Sequence, residues 1–137
     1  MTQATLYKAE TDKKLPLFVE DLALAAGRRG FTIHNEDKMA MAHTFSAHGL
    51  EVGQNFDLHM IQICKPTRAA QSLMKNPERA VLMPKFIMTF TQDGKTQIRF
   101  LSYARELVAA LVEDDEFSTS LDQSFREIRE ILEEARK

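Results

Sequence analysis

Cys64 is the only cysteine in the chain, and it stands two residues before a proline in Ile63-Cys64-Lys65-Pro66. Pro66 suits the first turn of a helix, where its missing N–H would have had no partner anyway. The sulfur would then lie just ahead of a helix N-terminus, whose unsatisfied amides carry partial positive charge and favour a thiolate. A second junction, Leu82-Met83-Pro84-Lys85, leads into another apolar stretch. If the two junctions are neighbours, Lys85 sets an amine beside the sulfur. Cys64, Lys65, Pro66, Pro84 and Lys85 would then form a thiol or ligand site. The simpler alternative is a buried Cys64 acting as a small hydrophobe at the end of a strand.

The same region is rich in cations: Lys65, Arg68, Lys75, Arg79 and Lys85 have only Glu78 as an acid between Leu58 and Gln92. A helix N-terminus beside several cations suits a small anion such as a carboxylate, phosphate or sulfur oxyanion. The alternative is an ordinary solvated helix face. Histidines 34, 43, 48 and 59 and seven methionines supply soft donors, but no zinc-type spacing occurs. His43 and His48 are five apart, which separates them around a helix. No metal site is expected, and His59, within a strand, is expected to be hydrogen-bonded rather than catalytic. Nucleophile elbows, phosphate loops and dinucleotide-binding glycine patterns are absent. The acidic run Glu113 to Glu116 reads as a solvated turn.

The elements that must hold these residues follow from periodicity. Thr5 to Lys8 reads as a short first strand. Leu15, Phe18, Leu22 and Ala25 or Ala26 repeat at helical spacing, with Pro16 at the entry and Gly27 and Gly30 at the exit. Phe31 to His34 alternates as a strand, Asp37 to His48 suits a short helix, and Phe56 to Cys64 is apolar on both faces, as for a central strand. A helix from Pro66 through Met74 would turn Ala69, Ala70 and Leu73 inward and stop at Asn76-Pro77. Phe86, Met88 and Phe90 alternate with Ile87, Thr89 and Thr91. Asp93-Gly94 then signals a two-residue hairpin, and Ile98 and Phe100 continue the alternation. Leu107 and Leu111 mark a helical turn after Tyr103. Phe117, Leu121, Phe125, Ile128 and Leu132 give a last helix one apolar stripe, which must pack on the sheet or on another subunit. The order strand, helix, strand, short helix, strand, helix, hairpin, helix predicts an α+β fold. Its sheet is largely antiparallel, with helices on one face.

Bulk properties set the outer bounds. A chain of 137 residues supports a single domain with one core. No apolar run approaches the roughly 20 residues needed to cross a bilayer, the chain opens Met1-Thr2-Gln3-Ala4 without a basic and then apolar stretch, and one cysteine allows no internal disulfide. A cytoplasmic protein without a membrane partner is expected. A formal charge of −2 argues against the basic footprint of a nucleic-acid binder.

The segment Ile61-Gln62-Ile63-Cys64-Lys65-Pro66, then Ala69 or Ala70 and Leu73, then Pro77, Leu82-Met83-Pro84, an alternating strand and Asp93-Gly94, resembles the domain of unknown function 302 family. The match is sharp over about 56–101 and coarse elsewhere, leaving 103–137 as a C-terminal helical extension. The resemblance implies a curved antiparallel sheet carrying helices, like the TATA-box-binding-protein architecture, and a homodimer. It implies no established activity, and a shared fold does not transfer DNA binding. Where the family commonly has a second cysteine after the Leu-Pro pair, this chain has Lys85. A redox or metal pair of cysteines would here have lost one member. Three functional readings stay open. The first is a non-catalytic binding or sensing domain for a small anionic ligand near Cys64 and Lys85, with Arg68 and His59 as further candidates. The second is a cysteine-dependent redox enzyme or sulfur carrier, and the third a structural interaction module. No cofactor is indicated.

Overall fold

The computed structural model describes residues 3–137. Five strands form one antiparallel sheet: β1 (Ala4–Thr11), β2 (Thr32–Ile33), β3 (His59–Cys64), β4 (Phe86–Gln92) and β5 (Lys95–Tyr103), in the order β1-β5-β4-β3-β2. Five α-helices accompany them: α1 (Leu15–Gly27), α2 (Met41–Ala47), α3 (Pro66–Lys75), α4 (Arg105–Leu111) and α5 (Phe117–Ala135). A 3-10 helix, Pro77–Leu82, joins α3 to β4. The fold is α+β.

The β4–β5 hairpin turns at Asp93 and Gly94, both at positive φ (55° and 76°). Two such residues in succession give the turn whose twist matches that of paired strands. The register it sets places Ile87 opposite Phe100 and Thr89 opposite Ile98. These four are buried and face the helices with Ile61 and Ile63. The other parity, Phe86, Met88 and Phe90, therefore lies on the opposite face, although its side chains are the larger ones. Thr89 Oγ1 is left in the core without a hydrogen-bond partner.

α5 supplies most of what covers the sheet. Phe117, Leu121, Phe125, Ile128, Ile131 and Leu132 are buried, and full burial of each aliphatic side chain contributes about 1.5–3 kcal/mol. α1 packs beside it through Phe18, Leu22, Ala25 and Ala26. The last helix thus belongs to this chain's own core. Its C-terminal carbonyls are met by the first connection: Lys13 Nζ donates to Ala135 O (2.7 Å) and Thr11 Oγ1 to Arg136 O (2.9 Å). A cation there also complements the negative end of the helix.

Several sequence expectations are revised. β1 runs over eight residues because it pairs residue by residue with β5; its core side, with Ala9 and Thr11, is too small and polar to register as an apolar alternation. In α3, Ala70 is exposed and Ser72 is buried instead. In α4, Leu111 is exposed, while Val108, and Val112 just beyond the helix, are buried. β3 begins at His59 rather than Phe56, since the residues before it belong to the 34–58 arm, in which no residue is buried.

Candidate functional site

The two junctions are neighbours. Ile63 N–H donates to Lys85 O (3.0 Å), so the end of β3 and the entry to β4 run side by side. α3 leaves Cys64 through Lys65 in extended conformation (ψ 98°), with Pro66 in its first turn and no side chain capping it. Cys64 is half-buried, Lys85 is buried at 8 % exposure, and Pro66 and Pro84 are exposed. Cys64 and Lys85 line one small cavity with Arg68, Ser120 and Ser124, roofed by Phe31, Phe117 and Leu121. Its volume is about 20 Å³, enough for one water.

The electrostatics of this pair differ from the sequence expectation. Burial pushes the Cys64 thiol up, and the Lys85 charge only partly opposes this. Burial also lowers Lys85 from 10.5 to about 8; the neighbouring thiol acts in the opposite sense, and Arg68 adds repulsion. Lys85 Nζ has one hydrogen bond, to Met83 O at 3.1 Å. No carboxylate pairs with it among the described residues.

The other cations are each committed. Arg68 donates to Ser124 Oγ (2.8 Å) and pairs with Glu127 (3.2 Å). Lys75 pairs with Glu116 at 3.1 Å. Arg79 forms a buried pair with Asp114 at 2.6 Å, with exposures of 6 % and 7 %, and also donates to Ser72 Oγ. Lys65 lies 5.7 Å from the centre of the Phe31 ring. Its Cε would be 3.3 Å from a Cβ added at Gly30. Gly30 (φ 78°) ends α1 with Phe31 N–H donating to Ala26 O and its own N–H to Gly27 O, the glycine-dependent helix stop. That stop delivers Phe31 to the cavity roof. His59 opens β3 and contacts Asp57 O through Nδ1, remote from the cavity lining.

Beside the small cavity, and sharing Arg68, Ser72 and Ser120 with it, a groove of about 430 Å³ runs between α3 and the start of α5. Asp114 is the residue of this region that sequence reasoning missed. Far from being a solvated acid, it accepts from Arg79, Asn76 and the backbone of Glu116 and Phe117, and these hold its carboxyl well below the usual range. It ties the 3-10 helix to the start of α5. Among the described residues no group of three or more His, Cys, Asp or Glu side chains could hold a metal, and no helix is long and apolar enough to cross a membrane.

No curated protein matches the sequence. Among solved structures, the crystal structure of the uncharacterized conserved protein DUF302 from Bacillus stearothermophilus is similar. Its TM-score is 0.74 at 15 % identity, covering 96 % of this chain and 98 % of that one. At that identity the likeness carries the fold and nothing about ligands. The sequence model of the domain of unknown function DUF302 matches residues 7–135, nearly the whole chain, and the protein belongs to that family of uncharacterised domains.

Proposed function

We propose that this protein is a non-catalytic binding or sensing domain for a small anionic molecule, with Lys85 as its counter-charge. One observation carries the reading: Lys85 is a buried ammonium whose only partner among the described residues is a backbone carbonyl, at the wall of a cavity that also meets Arg68. A buried cation without a carboxylate is costly, and a bound anion offsets that cost. The cavity has room for one oxygen of the ligand's charged group, in place of a water, and the adjoining groove between α3 and α5 takes the rest of the molecule. Cys64 and Ser124 border the anion as neutral hydrogen-bonding groups. A thiol whose pKa is raised by burial weighs against the thiolate enzyme or sulfur carrier.

The same reading treats residues 1–137 as one domain and the sheet as similar to the TATA-box-binding-protein-like architecture. It places the protein in the cytoplasm, as a homodimer and without nucleic acid. A net charge of −2 and cations already paired to acids support the last point. Thermal unfolding at pH 7 in sodium formate, against sodium chloride of equal ionic strength, tests the site. Formate is expected to raise the midpoint of the wild type and leave that of Lys85→Met unmoved, because only binding to the native state stabilises it. Equal shifts in both proteins would remove Lys85 from any anion site.

A further inference from the structure

Lys85 has two features that a simple counter-charge does not need. It stands two residues before Ile87 and shares its parity, so the strand carries its stem toward the helix-covered face, where it is buried. There Phe31, Ala69, Met83, Phe117 and Leu121 line the same cavity, and water has little access to the amine. The second feature is its company. Nζ has three hydrogens, yet among the described residues its one acceptor is Met83 O, and the neighbouring charge, Arg68, has the same sign. Desolvation and an adjacent cation are the two conditions under which a lysine amine gives up its proton near neutrality and becomes a nucleophile toward carbonyl carbon. Burial, helped by Arg68, lowers its pKa from 10.5 to about 8, so about a tenth of the molecules hold the amine neutral at pH 7.

We infer that Lys85 holds its ligand covalently, as a reversible imine with a small 2-oxo acid. The inference rests on the anion site proposed above and narrows its ligand class. In a 2-oxo acid the carbonyl carbon is bonded directly to the carboxylate carbon, so one buried amine meets both groups. The neutral amine adds through its lone pair to the carbonyl carbon. Both amine hydrogens then leave with the carbonyl oxygen as one water, and C=N replaces C=O. A proton taken up from solvent restores the positive charge on nitrogen, and the carboxylate keeps its counter-ion after the bond has formed. Loss of the carbonyl oxygen suits the cavity of about 20 Å³, which then takes one carboxylate oxygen beside Arg68. The groove of about 430 Å³, which shares Arg68, Ser72 and Ser120 with the cavity, admits the ligand and takes its remaining carbons. Cys64 is the competing nucleophile there, but burial keeps its thiol protonated, so the amine reacts and the sulfur does not.

Glyoxylate, the smallest 2-oxo acid, tests this with sodium cyanoborohydride and the full chain at pH 7. Hydride delivered to the imine carbon leaves a stable carboxymethyl amine, which peptide mapping locates. Lys85 is expected to be modified at least about 10-fold faster than Lys75, a solvent-exposed lysine on the same groove, because more of it is neutral. Propionaldehyde offers the carbonyl without the carboxylate. With it the ratio of Lys85 to Lys75 modification is expected to fall about 10-fold, the loss of one charge-assisted contact. Formate should slow the reaction at Lys85 and leave that at Lys75 unchanged. A wild type that formate stabilises, but that gains no preferential adduct at Lys85, overturns the imine and leaves the anion site standing. One that shows neither effect loses both. A ratio unchanged with propionaldehyde would overturn the 2-oxo acid as the ligand class.

Discussion

Replacing Lys85 by methionine removes the charge while keeping most of the stem, so it isolates what the buried ammonium costs the fold. In the folded chain Lys85 titrates at about 8, against 10.5 when exposed. A base whose folded pKa is depressed binds fewer protons folded than unfolded between those values, so its contribution to stability improves as pH rises through that window. Below pH 8 the whole penalty applies, and 2.5 pKa units correspond to about 3 kcal/mol. The hydrogen bond from Nζ to Met83 O returns about 1 kcal/mol, which the variant loses. Lys85→Met should therefore be more stable than the wild type at pH 6.5 by about 2 kcal/mol, and that advantage should shrink by about 2 kcal/mol by pH 9.5. Urea unfolding followed by circular dichroism, with both proteins at both pH values, reads the difference and its slope. A variant less stable than wild type at pH 6.5, or a gap independent of pH, would refute the claim that Lys85 is a buried charge without a counter-ion.

Other consequences follow from the same geometry. Native Cys64 should react with iodoacetamide more slowly than a free thiol at pH 7.5, with a rate still climbing above pH 9; fast labelling near neutrality would restore the thiolate reading. Thr89→Val should stabilise the fold by about 1 kcal/mol in chemical denaturation, because it removes a hydroxyl buried without a partner; a loss of that size would mean the hydroxyl is satisfied. Asp114→Asn should lower the thermal midpoint far more than Glu116→Gln, whose ion pair with Lys75 is solvent-exposed. Asp114 also has a depressed folded pKa, so its contribution is present at neutral pH and is lost as the solution is acidified below its ordinary 3.8. Equal effects of the two substitutions would contradict a structural role for that pair.

Much of the fold could be read from the sequence because local chemistry and tertiary packing agreed there. Asp93-Gly94, the Gly30-Phe31 helix stop and the stripe on α5 each work through their own backbone or face. The places that misled were those where a neighbour decides. The large side chains of β4 face outward, which only the register with β5 determines, and β1 is a full strand only because β5 pairs along it. The cation cluster was the costliest misreading. Lys75, Arg79 and Arg68 look unopposed over some thirty residues of sequence, yet their partners Glu116, Asp114 and Glu127 arrive from 35 to 59 residues further on. Charge counted along a chain says little about charge counted in space.

That correction sharpens the site instead of dissolving it. Once Arg68, Lys75 and Arg79 are matched to their acids and Lys65 to the Phe31 ring, Lys85 stands apart: buried, with a carbonyl but no carboxylate among the described residues, beside the only thiol. A cysteine in place of Lys85 could form a disulfide with Cys64 or share a metal with it. A lysine can do neither, and it changes the chemistry of what remains. Its charge pulls the thiol pKa down while burial pushes it up, and burial prevails. Near neutral pH this leaves a neutral thiol beside a charged amine, the pairing on which the proposed anion site rests.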